Sequence, residues 1–262
     1  MASDPVVARR EMDGLLRRGR LTSFDPSWFR YSEVVLEPAE IVAILRPHLS
    51  AERIARIDEV LADRTYNLAV VVDGMVDTGN VSAVMRSADA FGVQAFHAVD
   101  RAGSYKHSKR TAQGARKWVD RWVWREPAEA IETLRQRDYR LVVADLDPAA
   151  TPIGQADLSA RSALVLGNES AGISDEFRGA ADEVVAIPMS GFAQSLNISV
   201  AAAICLYEAR RCRVERLGAH GDLSASDQDR LQAVFTIKSV RHSRKIIERA
   251  LEVSRAAKPV PG

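Results

Sequence analysis

Leu68-Ala69-Val70-Val71-Val72-Asp73-Gly74 is a continuous apolar, β-branched run closed by a turn pair. A run with no polar alternation marks a strand buried on both faces, as in a parallel sheet. Downstream, Gly79-Asn80 leads into Val81 to Ala90, where Val81, Val84, Met85 and Ala88 share one helical face and Gly92 stops the helix. Ala95 to Val99 is a second buried strand. Strand, glycine loop, helix and strand make a βαβ unit. Its loop lies at the carboxyl end of the first strand, where open α/β sheets bind ligands.

Beyond this unit the alternation continues. Arg101 to Lys117 is basic, rich in Ser, Thr and Gly, and reads as a surface loop. Val119 to Trp124 is a third strand, Pro127 to Arg137 a helix, and Arg140 to Ala144 a fourth strand ending in Asp145-Leu146-Asp147-Pro148. Ala163 to Leu166 is a fifth, followed by Gly167-Asn168-Glu169-Ser170-Ala171-Gly172 and a short helix capped by Ser174. Glu183 to Ile187 is the sixth. Then Pro188 and Gly191 forbid simple continuation, and Ser195 with Asn197 suit a helix N-terminus. The Ala-rich helix from Ile198 to Ala209 closes in Arg210, Arg211 and Arg213, cations at the end its dipole favours. The fold class is α/β, a mostly parallel sheet with helices on both faces.

The flanks are different. Residues 1–50 read as a basic arm with short helices, interrupted by Pro26, Pro38 and Pro47. Ala51 to Arg64 is an amphipathic helix through Ile54, Ile57, Val60 and Leu61, assigned to a central domain of residues 51–215. Residues 216–262 are a linker and a basic helical tail, with Leu231, Val234, Ile237, Ile246, Ile247 and Leu251 at helical spacing.

Charge is balanced over the 262 residues, 36 Lys+Arg against 35 Asp+Glu, so net charge selects no partner. Distribution does. Basic groups gather at Arg9 to Arg20, at Lys106 to Lys117 and at Lys238 to Lys245, and local clusters are what anionic phosphates need. Taken singly, any one cluster is equally a solvated helix face. Cys205 and Cys212 lie two turns apart on one helix, too far for a bridge, which fits a reducing, cytoplasmic compartment. No Cys/His cluster points to a metal. The N-terminus lacks an apolar h-region and no apolar run approaches the roughly 20 residues of a membrane span.

Three loops follow strands: Asp77 to Asn80 with Arg86 beyond, Leu166 to Gly172, and Ile187 to Asn197. None holds GxGxxG or GxxxxGK[ST], so dinucleotide and P-loop readings are weak. Gln194, Ser195 and Asn197 place three polar side chains beside main chain not all committed to a ladder, a setting for a small polar ligand. Taken singly, Ser195 or Asn197 is accounted for by a capped helix after a turn.

Three segments in this order carry a family resemblance: Gly79-Asn80 through Arg86-Ser87-Ala88-Asp89-Ala90-Phe91-Gly92, Leu166 to Gly172, and Ile187-Pro188-Met189 through Gln194-Ser195-Leu196-Asn197. From about Ala51 to Arg213 the chain resembles the SPOUT-class RNA ribose methyltransferases, especially those acting on guanosine-18 of tRNA. Gly114 to Val119 is similar to that family's basic loop. The resemblance implies a C-terminal trefoil knot, S-adenosylmethionine bent within it, and a homodimer completing each site across its interface. It implies catalytic roles for Arg86, Asn80, Glu169, Ser195 and Asn197. Cofactor contacts are expected from Ala144, Leu166, Gly167, Asn168, Ile187, Met189, Ser195 and Leu196, and RNA contacts from Lys106, Lys109, Arg110, Arg116 and Lys117.

Arg86 is expected to bind phosphate and stabilise charge on the ribose oxygen, since a guanidinium with a pKa above about 12 is a poor base. A ribose 2′-hydroxyl target excludes DNA. The alternatives are ribosomal RNA, another tRNA nucleotide, or a catalytically silent RNA-binding protein; intact motifs argue against the last.

Overall fold

The computed structural model describes residues 22–74, 77–101, 114–168 and 171–256. These fall into two compact units, one holding residues 22–62 and 223–256 and the other 63–222.

The larger unit is built on seven parallel strands. They are β3 (Thr65–Asp73), β4 (Val93–Val99), β5 (Asp120–Trp124), β6 (Arg140–Ala144), β7 (Thr151–Pro152), β8 (Ser162–Gly167) and β9 (Glu183–Ala186); β1 and β2 belong to the smaller unit. Their spatial order is β5-β4-β3-β8-β6-β9-β7. Six were legible as apolar runs; β7 is a two-residue edge strand whose Pro152 has no N–H to offer, so nothing in its composition marks it. The chain first builds outward from β3, then inserts β8 between β3 and β6. Sheets of this kind bind ligands where the strand order reverses. Register aligns Asp73 with Gly167, Leu166 with Ala144, and Ala144 with Val185. Strand ends distant in sequence therefore share one edge.

Side chains alternate across the strands. Leu68, Val70 and Val72 join one apolar cluster with Val84 of α3 (Thr78–Ala90) and Ala202 and Leu206 of α6 (Ile198–Leu217). Ala69 and Val71, equally buried, point to the other face, where α4 (Pro127–Arg135) touches β4, β5 and β6 and α5 (Asp175–Gly179) touches β6. Helices cover both faces, as expected.

Helix α6 runs past the expected end at Ala209 to Leu217, and Gly218 caps it at φ 80°. Arg213 is consequently not a solvated end cation. It is fully buried, pairs with Asp222, and donates to the carbonyls of Ser159 (3.0 Å) and His220 (3.3 Å). Arg64 is likewise buried and pairs with Asp89. Both cysteines are buried free thiols, and burial pushes Cys205 up to about 12. Ser174 stands at the N-cap of α5 but makes no side-chain cap; its amide donates to Asp73 Oδ2 at 2.7 Å.

The smaller unit joins the two flanks. An antiparallel pair, β1 (Arg30–Tyr31) and β2 (Val34–Val35), precedes α1 (Pro38–Leu45) and α2 (Ala51–Ala62). The tail forms α7 (Ala225–Ser239) and α8 (Ser243–Ala256), and α1 packs on both. Tyr31, Ile41, Leu45, Ala233 and Ile247 form its own apolar core. Helix α2, expected with the central domain, groups here through its contacts with α7. Lys238 and Arg244 lie over the rings of Trp28 and Tyr31, so part of the tail's charge serves packing. The basic cluster at Arg9 to Arg20 lies outside the described residues. Among the described residues no helix is long and apolar enough to cross a membrane.

Two buried histidines make stability depend on pH. Burial and then Arg137 hold His97 down at about 3; burial and then Arg210 and Arg213 hold His220 at about 4. Both folded values lie below the unfolded value of about 6.5, so below that pH the unfolded chain takes up protons the folded chain refuses. Stability should be level above about pH 6.5 and fall toward pH 4, by up to about 1.4 kcal/mol per pH unit for each histidine. Urea unfolding at pH 7 and pH 5 checks this, and His220→Asn should flatten the dependence.

Candidate cofactor cleft and catalytic surface

The loop after β8 is tightly folded. Asn168 and Gly172 exchange backbone hydrogen bonds at 3.2 and 3.0 Å, and Asn168 Oδ1 accepts the Ala171 amide at 2.7 Å. A Cβ on Gly167 would sit 2.4 Å from the carbonyl carbon of Gly172, so a side chain there is incompatible with the turn. Gly74, at φ 82°, is similarly close-packed: a Cβ there would lie 2.5 Å from Asn168 Nδ2. The end of β3 thus packs against the second motif loop through the Asn168 side chain.

The third loop leaves the sheet at β9 and ends at α6. From Pro188 to Leu196 no backbone–backbone hydrogen bond forms among the described residues, so these peptide groups are uncommitted. Asn197 ends the loop as the N-cap of α6, its Oδ1 accepting from the Ser199 amide (2.9 Å) and hydroxyl (2.6 Å). Its Nδ2 donates to Asn80 Oδ1 at 3.2 Å, which ties the third motif to the first. Ser195, also expected as a capping residue, is not the cap; it is exposed on the cleft.

Between these loops, outside the carboxyl ends of β6, β8 and β9, lies a cleft of about 220 Å³. Ala144, Leu166, Gly167 and Asn168 line one side, and Ile187, Met189, Ser195 and Leu196 the other. All eight residues singled out for a cofactor therefore meet in one place. Val185, Ile173 and Ile198 close its apolar wall. The sequence reading missed Asp145, which supplies the one ionisable side chain among the described residues of the lining. Its signal was present in the Asp-Leu-Asp-Pro turn after β6, where a carboxylate at a strand's carboxyl end can face a ligand.

Arg86 lies elsewhere. It is exposed on α3, does not line the cleft, and makes no hydrogen bond or ion pair with the described residues. Asn80 lies in the first turn of the same helix, about 9 Å away by helical rise. Arg116 and Lys117 sit on a 3₁₀ turn whose preceding Gly114 has φ 87°, with Lys117 Nζ 4.7 Å from the Trp118 ring. Glu169, Lys106, Lys109 and Arg110 lie outside the described residues. No cluster fit for a metal occurs among the described residues.

A doubly covered parallel sheet with a cleft at its strand-order reversal defines a ligand-binding α/β protein of the open-sheet class. Within that class, the chain belongs to the SpoU rRNA Methylase family, which residues 67–207 match. A tRNA (guanosine(18)-2′-O)-methyltransferase of Thermus thermophilus is 36% identical over 171 residues, covering 65% of this chain and 88% of that protein. The crystal structure of the A. aeolicus TrmH/SpoU tRNA modifying enzyme superposes with a TM-score of 0.66 at 32% identity, covering 72% of this chain and 98% of that one. The SpoU methyltransferase AviRb from Streptomyces viridochromogenes, solved in complex with the cofactor AdoMet, gives 0.50 at 28% identity over 60% of this chain and 61% of that one.

Gly167→Ala should cost about 1–3 kcal/mol, the usual penalty of forced overpacking, because its methyl meets backbone and not a movable side chain. Asn197→Ala should cost about 1 kcal/mol through the lost cap. Urea denaturation of both variants at pH 7 measures these effects.

Proposed function

We propose that the protein transfers a methyl group from S-adenosylmethionine to the 2′-hydroxyl of a ribose in RNA, with guanosine-18 of tRNA as its target. The observation that carries this reading is the convergence of the second and third family loops on one cleft suited to the cofactor, with the first loop tied to the third through Asn80 and Asn197. The residues fit that group in three respects. The walls are aliphatic, suiting a purine; the main chain of 188–196 has free donors and acceptors; and Gly167 admits close backbone approach. When bound, S-adenosylmethionine supplies an electrophilic methyl on a sulfonium.

The chain's own residues then do the rest. Leu166, Gly167, Ile187, Met189 and Leu196 hold the cofactor mainly through backbone groups and shape, with Ala144, Asn168 and Ser195 at its edges. Arg86 binds the phosphate beside the target ribose and stabilises negative charge on the attacking oxygen. Asn80 and Asn197, already bonded to each other, orient the substrate, and Glu169 guides it. Arg116 and Lys117, with Lys106, Lys109 and Arg110, contact RNA phosphates, so affinity should fall with salt. The segment 187–197 belongs to a trefoil knot. Residues 1–50 and 216–262 act as appendages for RNA, and the protein works in the cytoplasm on tRNA.

A homodimer belongs to the same reading. Val200, Tyr207, Val214 and Leu217 of α6 are 47, 56, 42 and 54% exposed, and the first three recur every seventh residue. An apolar stripe at this spacing suits a second helix, and a partner at α6 explains why Arg86 stands unpaired and off the cleft of its own chain. The family description itself names ribosomal RNA, which makes the same chemistry on that RNA the second reading.

Methyl transfer from labelled S-adenosylmethionine to unmodified tRNA and, separately, to ribosomal RNA tests both. The expected result is ribose label at guanosine-18, with Arg86→Ala slowing transfer at least about a hundredfold. Because Arg86 is exposed and makes no hydrogen bond or ion pair with the described residues, the same variant should change stability by no more than about 0.5 kcal/mol. Label confined to ribosomal RNA would replace the substrate and keep the chemistry. No label in either would overturn the proposal.

A further inference from the structure

Asp145 stands out because, among the described residues that line the cleft, its side chain alone is ionisable. Its backbone amide donates to the Val185 carbonyl at 3.0 Å, which fixes the residue against β9 just beyond the end of β6. Its Oδ1 accepts the Leu146 amide at 2.9 Å, and its Oδ2 accepts Arg178 Nε at 2.7 Å. The side chain is 23% exposed while that of Arg178 is 49% exposed, so the carboxylate is held from behind and its remaining face borders the cleft.

An ionised carboxylate has about four lone-pair sites, and here two are used, one on each oxygen. One acceptor position therefore remains on each oxygen of this one carboxylate. Arg178 also decides which donors suit them. A carboxylate whose charge is already met by a guanidinium offers little to an ammonium group, whose charge the same guanidinium opposes. It remains a good acceptor for neutral hydroxyls. Two adjacent acceptors match two adjacent donors, and a vicinal diol is the donor pair a nucleoside carries. Open α/β sheets use an acidic residue in this way for a ribose hydroxyl.

Resting on the cofactor reading above, we propose that Asp145, held by Arg178, recognises the ribose hydroxyls of the nucleoside bound in the cleft. The pair is a specificity device, Asp145 touching the ligand and Arg178 positioning it. It adds a charged acceptor to a site whose other lining is backbone, aliphatic walls and the neutral side chains of Asn168 and Ser195. Charge-assisted hydrogen bonds of this kind contribute roughly tenfold or more each in affinity.

The test is calorimetric binding of 5′-methylthioadenosine and its 2′-deoxy and 3′-deoxy analogues to wild type, Asp145→Asn, Asp145→Ala and Arg178→Ala. Methylthioadenosine carries the nucleoside and no ammonium or carboxylate, so the diol is read alone. Wild type should lose roughly tenfold or more on removal of at least one hydroxyl. Asp145→Ala should bind the parent more weakly and lose that discrimination, Asp145→Asn should retain part of it, and Arg178→Ala should weaken it with the carboxylate still present. The near-isosteric Asn variant, with its unfolding midpoint checked against wild type, keeps the test valid if the Ala variant fails to fold. Discrimination unchanged in Asp145→Asn and Asp145→Ala would overturn the inference and leave the cofactor reading intact. An N6-methyl analogue whose penalty vanishes in Asp145→Ala, with no effect of the hydroxyls, would overturn it in favour of the base. Failure of wild type to bind either methylthioadenosine or S-adenosylmethionine would overturn both.

Discussion

The backbone of Gly167 lies against that of Gly172 with no room for a side chain, and the rest of the site depends on that closeness. It folds the loop after β8 back on itself, which leaves the carboxyl edge of the central strand open. Gly74 presses on Asn168 from the neighbouring strand, and Asp73 takes the Ser174 amide. The hairpin is therefore held at the end of β3 before any ligand arrives. Strand register does the remaining alignment, since Asp73, Gly167, Leu166, Ala144 and Val185 are paired across four adjacent strands. Site geometry here is a property of the sheet edge and not of flexible side chains.

Arginines in this chain divide by burial. Arg64 and Arg213 are buried and spent on Asp89 and Asp222, where losing the acid would strand a buried guanidinium. Arg178 is half-exposed and spent on Asp145. Arg86 alone among the residues given a catalytic role is a cation, and it is exposed and unspent among the described residues. An arginine with no intramolecular partner is free to meet an anion brought from outside. That separation favours electrostatic stabilisation of an anion as its proposed role.

The strands of the core were legible because each is buried on both faces and so lacks polar alternation; Leu68 to Val72 and Arg140 to Ala144 are cases in point. β7 was not, because two residues at a sheet edge have neither length nor pattern. The end of α6 was missed because Arg210, Arg211 and Arg213 look like a terminal cationic turn, whereas Arg213 is consumed internally and Gly218 is the actual stop. The flanks hid their association for a different reason: nothing local in residues 22–62 says that their apolar faces belong with residues 223–256. At the site, the loops were visible in glycine, proline and cap residues, and the three motifs carried the resemblance. Asp145 escaped because a carboxylate in an Asp-Leu-Asp-Pro turn is indistinguishable in sequence from a solvated turn acid.

The central claim is that uncommitted main chain between Pro188 and Leu196, with the glycine hairpin after β8, forms the binding device. Amide hydrogen exchange of the full chain with and without saturating S-adenosylhomocysteine reads this directly. The account predicts that protection gained on binding concentrates in residues 187–197 and 166–173, with little change in α7 and α8. Protection confined to the smaller unit, or none in the third loop despite saturation, would contradict it.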